Sequence, residues 1–285
     1  MAESTRDIKR RIKGIGNIKQ ITKAMELVSS AKLRKARERL EKSRPYYTTV
    51  LENIKRVMGS TGNMNHPLLQ KRDVKNSLYI IISSDRGLAG GYNANVIRLA
   101  ESAMHDKKDN VSLIVVGNKA KEYFRRRGYK ILMDYAGISE EPEFSDARKI
   151  GRLAMEAYKE KKIDEINVVF TRFMGTLSFE PRILRLLPSE EVGKDAESKG
   201  AVIEFEPSAD EVLNYLIPKY IESSIYGALI EASCSEQGAR RAAMESATDN
   251  AEEIIDELKI SYNRARQAAI TSELSEIVSG AEAIK

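Results

Sequence analysis

Tryptophan is absent, cysteine occurs once, histidine twice and proline seven times in 285 residues, and each scarcity narrows what the chain can be. With Cys234 alone no intrachain disulfide can form, which suits a reducing compartment and excludes a disulfide scaffold. No histidine or basic cluster adjoins it, so it reads as a small helix-face residue rather than a nucleophile. His66 and His105 stand far apart without ligand spacing, so no metal site is expected. Two such histidines cannot complete a Ser-His-Asp set, and no carboxylate pair stands out by spacing. No catalytic residue or cofactor is therefore expected. No run approaches the roughly 20 apolar residues of a membrane span, and the opening MAESTRDIKRRIKG lacks an apolar h-region. The expectation is a chain neither inserted in a membrane nor secreted.

Charge is what the chain has in quantity: 31% of residues are charged and only 6% aromatic, a balance suited to long exposed helices. It is unevenly spread. Residues 1–44 carry 14 basic against 5 acidic side chains, while residues 245–257 carry six acidic and no basic ones. A basic arm, with RKARER at 34–39, allows a nucleic-acid-binding alternative, although a solvated helix face is the commoner origin of such a run.

Periodicity places helices at both ends. Ile8, Ile12, Ile15, Ile18, Ile21, Met25 and Val28 recur in steps of three and four, predicting one helix from residue 3 to about 44, before Pro45. Ser4 and Asp7 resemble a capping pair at its start. From Glu211 to Ile284 only Pro218 interrupts a second helical pattern. Met244, Thr248, Ala251, Ile255, Leu258, Tyr262, Ala265 and Ala269 alternate by four and three, the repeat of a coiled-coil seam. The stripe then moves one position, to Ile270, Leu274, Ile277, Ala281 and Ile284, which suggests a different partner for the tip. The N-terminal helix, returning antiparallel with its basic flank against the acidic one, is the expected partner for the seam. Part of the longer helix should then project alone.

Between the helices, 77–84, 111–117, 129–135 and 165–173 read as buried strands, alternating with amphipathic helices at 93–107, 119–127 and 146–161. That order predicts a Rossmann-like α/β domain with a mostly parallel sheet covered on both faces. EPRILRLLP at 180–188 could add a strand, and 188–206 reads as a loop. The expected division is 1–60, 61–206 and 207–285. The Gly-rich SSDRGLAGGYN at 83–93 follows the first strand, where phosphates often bind, but Gly87, Gly90 and Gly91 match neither nucleotide fingerprint. A tight structural turn tied by Asp85 is the preferred reading.

ITKAMELVSSAKLRKA (21–36), SSDRGLAGGYN (83–93) and the specific ATDNAEEIIDELKISYNRARQAAITSELSEIVSGA (247–281) resemble the γ-subunit family of F-type ATP synthases, along essentially the whole chain. The resemblance implies a non-catalytic central rotor shaft, coupling ion-driven rotation of a membrane c ring to ATP synthesis or hydrolysis. Its tip would lie inside a ring of three α and three β subunits, its foot on the c ring, with an ε subunit alongside. It further implies that Lys23, Met25, Arg240, Arg266, Gln267, Thr271 and Glu273 face the α/β ring and that Phe205 and Glu206 meet the c ring. Ile203 and Phe205 replace the family's usual tyrosines there. The regulatory cysteine pair of plant chloroplast members has no counterpart, and the implied setting is the cytoplasmic face of a bacterial membrane.

Overall fold

The computed structural model describes residues 4–61, 68, 73–175, 178–189, 206 and 208–282. Two helices dominate: α1, Thr5–Thr61, and α5, Ala209–Glu282. Ser4 opens α1 as expected. Its hydroxyl accepts the Asp7 amide at 3.2 Å and donates to the Asp7 carboxylate at 2.8 Å. The helix does not stop before Pro45 but runs through it. A helix-interior proline costs about 3 kcal/mol. Here Val50, Ile54 and Val57 are buried beyond it and Tyr47 stacks on Tyr220 at 6.0 Å, so tertiary burial of the next three turns offsets the loss. Pro218 is carried inside α5 in the same way, flanked by buried Ile217, Tyr220 and Ile221.

The chain packs as two units. One comprises residues 1–28 and 241–285, the other Ser29–Arg240.

In the second unit lies a five-stranded sheet of order β3-β2-β1-β4-β5. Its strands are β1, Ser77–Ile82; β2, Val111–Val116; β3, Lys130–Tyr135; β4, Glu165–Gly175; and β5, Ser178–Leu187. β1 pairs in parallel with β2 and β4, β2 in parallel with β3, and β5 closes antiparallel on β4. The chain steps outward through α2, Tyr92–Met104, and α3, Asn118–Arg126, then returns across β1 through α4, Phe144–Lys159. A short 3₁₀ turn, His105–Asn110, precedes β2, so His105 is a turn residue, while His66 lies outside the described residues.

Side-chain alternation sorts the two cores. Leu78, Ile80 and Ile82 join α4, the C-terminal half of α1 and the first turns of α5, whereas Tyr79 and Ile81 join α2 and α3 on the opposite face. The sheet is therefore covered on both sides, as a parallel centre requires. β3 departs from the expectation of a buried strand. It is the sheet edge, with Leu132 and Met133 exposed, because nothing pairs with it beyond β2 among the described residues. The segment read as a loop at 188–206 falls mostly outside the described residues.

Gly117 joins the ends of β1 and β2 at φ +89°. A Cβ there would sit 2.3 Å from the Ser83 carbonyl oxygen. Gly14 and Gly16, in contrast, are helical with open space around an added Cβ. Urea unfolding of the purified chain should show Gly117→Ala destabilised by more than about 1 kcal/mol and Gly14→Ala stabilised by roughly 0.5–1 kcal/mol.

Candidate functional site

In the unit formed by residues 1–28 and 241–285, two contacts set the helix register. Thr22 and Thr248 share a buried hydroxyl–hydroxyl hydrogen bond at 2.8 Å, and Lys19 reaches Glu252 at 2.8 Å. Moving three residues back along α1 moves four forward along α5, so the pair is antiparallel. Met244, Thr248, Ala251 and Leu258 are buried and Ile255, Tyr262 and Ala265 half-buried, in agreement with the heptad read for α5. Ala269, placed last in that seam, is exposed.

The α1 side differs from the sequence reading. Ile8 is buried and Ile12, Ile15 and Met25 half-buried, but Ile18, Ile21 and Val28 are more than half exposed. The inward positions are instead Lys19, Thr22 and Glu26, which keep a strict alternation of four and three from Ile8. An apolar row that drifts by repeated steps of three leaves the facing helix. The result is an outward apolar strip of Ile18, Ile21, Leu27 and Val28 on α1, flanked by charge. Lys23 is exposed and bridges Glu26 at 3.0 Å. Glu26 first, with Glu245 and Asp249 adding, raises the lysine pKa. Lys259, assisted by Lys19, lowers that of Asp256. The basic and acidic flanks thus face each other.

Because α1 begins at Thr5, the register supplies no α1 partner much beyond Tyr262. From Arg266 through Ser279 every side chain of α5 is exposed, including Ile270, Leu274, Ile277 and Val278. Arg266, Gln267, Thr271 and Glu273 share this stretch, where the Thr271 hydroxyl donates to the Gln267 carbonyl at 2.9 Å. Ile284 and the side chain of Ala281 fall outside the described residues, as does Phe205, while Glu206 is exposed.

Arg240 has a different environment from the exposed positions with which the sequence grouped it. It belongs to the unit Ser29–Arg240, is buried, and donates to Glu236 at 2.7 Å and to the Gly87 carbonyl at 3.3 Å. Gly87 lies in the Gly-rich turn after β1, beside the point where the strand order reverses, a common place for ligands in open α/β sheets. Here the polar groups are spent internally. Asp85 accepts the Asn118 and Gly137 amides and the Ser139 hydroxyl, and Asn93 accepts the Ser84 amide. The turn is thus built as a brace, with Leu88 and Gly90 at positive φ. Cys234 is buried on α5 near Leu33, Ala36 and Leu40, and burial pushes its thiol up to about 12, which leaves it protonated and unreactive at neutral pH. Among the described residues no group of His, Cys, Asp or Glu could hold a metal ion, and no helix is long and apolar enough to cross a membrane.

Comparison with known proteins agrees over the full length. The family model described as ATP synthase matches residues 4–284. The ATP synthase gamma chain of Alkaliphilus metalliredigens is 53% identical, with all of both chains covered. The sodium-ion-specific gamma chain of Acetobacterium woodii is 45% identical, also with all of both covered. Among solved structures, a chain of the Tetrahymena thermophila mitochondrial ATP synthase central stalk and c-ring matches with TM-score 0.62 at 25% identity, over 80% of this chain and 99% of that one. A chain of the Euglena gracilis mitochondrial ATP synthase matches in fold with TM-score 0.69 at 18% identity, over 98% of this chain and 94% of that one.

The Glu236–Arg240 pair gives a test of the brace. Burial raises the Glu236 pKa, Arg240 opposing it, so the ionised carboxylate is held at a cost that disappears as pH falls through the folded-state pKa. Arg240→Met should destabilise the chain by about 3–5 kcal/mol near neutral pH by stranding that carboxylate. The deficit relative to the native chain should shrink between pH 7.5 and 5.5 in urea unfolding; an equal deficit at both would remove Glu236 as its cause.

Proposed function

The chain belongs to the ATP synthase γ-chain family, and from that premise we propose how its parts act. It is a non-catalytic subunit, the central rotor shaft of a rotary ATP synthase, which couples ion-driven rotation to ATP synthesis and hydrolysis carried out by other subunits. Its complex is membrane-associated. The observation that carries the reading is the α5 stretch from Arg266 to Ser279, uniformly exposed yet apolar along one face. Such a helix needs a sheath.

That sheath is a ring of three α and three β subunits, in contact with Lys23, Met25, Arg266, Gln267, Thr271 and Glu273 and with the outward strip of Ile18, Ile21, Leu27 and Val28. Arg240 acts one step back, holding the Gly-rich turn, rather than as a ring contact of its own. Phe205 and Glu206 meet polar loops of the c ring, an ε subunit docks alongside, and the assembly works on the cytoplasmic face of a bacterial membrane. Residues 1–60 and 207–285 serve as shaft, and 61–206 as the domain attached to it. The nucleic-acid alternative finds no support. Lys19, Lys23, Lys32 and Arg39 of the basic arm are engaged by Glu252, Glu26, Glu140 and Glu141, so part of its charge is opposed within the chain.

A rotating asymmetric surface changes a catalytic β subunit only through the difference in interaction free energy between that subunit's conformers. Lost polar contacts at Arg266 or Gln267 cost about 0.5–3 kcal/mol each, and 1.4 kcal/mol is tenfold in rate where the contact belongs to the transition state. Arg266→Ala and Gln267→Ala should therefore leave a purifiable complex with lowered ATP turnover and lowered ion-driven synthesis. Native turnover in a fully assembled double variant would remove these side chains from the mechanism.

A further inference from the structure

A cavity of about 510 Å³ opens in the unit Ser29–Arg240, between the second half of α1, the β4–β5 hairpin and α5. That volume falls within the roughly 300–1,000 Å³ of pockets that enclose small ligands. Its wall is built of rings that hold one another. Phe144 meets Tyr226 edge-on at 5.4 Å and Tyr46 edge-on at 6.4 Å, while Tyr47 is stacked on Tyr220. These rings come from three different helices, so the apolar surface is fixed by tertiary packing before any ligand arrives.

Charge at the cavity is one-sided. Arg44, Arg172 and Arg182 contribute to its lining, and none of the three joins an ion pair among the described residues. The single acid there, Glu231, accepts the Phe173 amide at 3.4 Å. Burial is the main influence on its pKa and raises it, against that amide and the three guanidiniums. Three exposed arginines at the edge of an aromatic hollow favour an anion there, and a guanidinium can hold a planar one through paired N–H groups.

The polar inventory of the wall says what the body of that anion must be. The Ser43 hydroxyl donates to the Leu40 carbonyl, Ser223 to those of Lys219 and Tyr220, and Ser224 to that of Tyr220. The serines donate to their own helices, so the polar groups of the wall that face a ligand are chiefly those at its charged end, and the rest of the lining is aromatic and aliphatic. The interior suits methylene groups or a plain ring.

We propose that this cavity is a binding site for a single-chain amphiphilic carboxylate, its head between Arg44, Arg172 and Arg182 and its apolar body against Tyr46, Tyr47, Phe144 and Tyr226. The proposal does not depend on the rotor reading. A built-in control exists at Gly227, which lines the cavity on α5: an added Cβ there meets nothing within 4 Å, so a side chain can begin at this position without displacing a neighbour.

Isothermal titration calorimetry of the full-length chain with decanoate below its micellar concentration tests the site. The expected result is saturable one-to-one binding, weakened at least tenfold in Arg44→Ala/Arg182→Ala and abolished in Gly227→Leu, with both variants keeping the native far-ultraviolet circular dichroism. Decyltrimethylammonium, of the same chain length and opposite charge, and ATP should give no saturable heat. Absence of decanoate binding to the native chain, unchanged affinity in Gly227→Leu, or equal binding of the decyl cation would each overturn the proposal.

Discussion

Helices of 57 and 74 residues carry far more backbone than helix propensity can hold in one conformation, so their persistence depends on covering each other's inward faces. In the unit of residues 1–28 and 241–285 the contact mixes bulky side chains such as Ile8 and Leu258 with small and polar ones. Thr22 bonds Thr248, Ala251 and Met244 are buried, and Lys19 closes on Glu252 at the flank. Small seam residues let two backbones approach closely, and a paired hydroxyl fixes register in a way that a uniform leucine seam would not. The cost of this economy is visible on the outside, where the larger apolar residues of α1 are left facing solvent in the isolated chain. A surface of that kind is an interface in waiting, and it makes sense of a subunit whose work is contact rather than chemistry.

The same economy explains why the Gly-rich turn holds no reactive group. Asp85, Asn93 and Arg240, polar residues at this turn, are each committed to an internal partner. Arg240 and Glu236 neutralise one another out of solvent, and Gly117 allows the ends of β1 and β2 to touch. A turn stiffened in this way can transmit load, and a thiol pushed to about 12 adds no side reaction.

Much of this was legible in the residues. The α5 seam up to Ala265 followed directly from alternating steps of four and three, and the succession of strands and helices followed from short apolar runs between amphipathic stretches. Reading α1 by its isoleucines misplaced the seam, because hydrophobicity was given more weight than spacing. The unbroken alternation Ile8, Ile12, Ile15, Lys19, Thr22, Glu26, Ser29, Leu33, Ala36, Leu40 runs through polar residues and marks the inward face. Pro45 was read as a terminus because local propensity says nothing of Val50, Ile54 and Val57 burying against a distant sheet. Arg240 could not be recognised as buried from its helix alone, since its acceptor, Gly87, is supplied 153 positions away.

If the shaft acts as one mechanical piece, its two helices need no motion against each other during turnover. Thr22 and Thr248 have their hydroxyl oxygens 2.8 Å apart, and the lone native thiol, Cys234, is buried. A complex assembled around Thr22→Cys/Thr248→Cys can therefore be locked by a disulfide at one known position. The account predicts equal ATP turnover in the oxidised and reduced complex. Turnover lost on oxidation and regained on reduction would show that the helices must slide, and would contradict it.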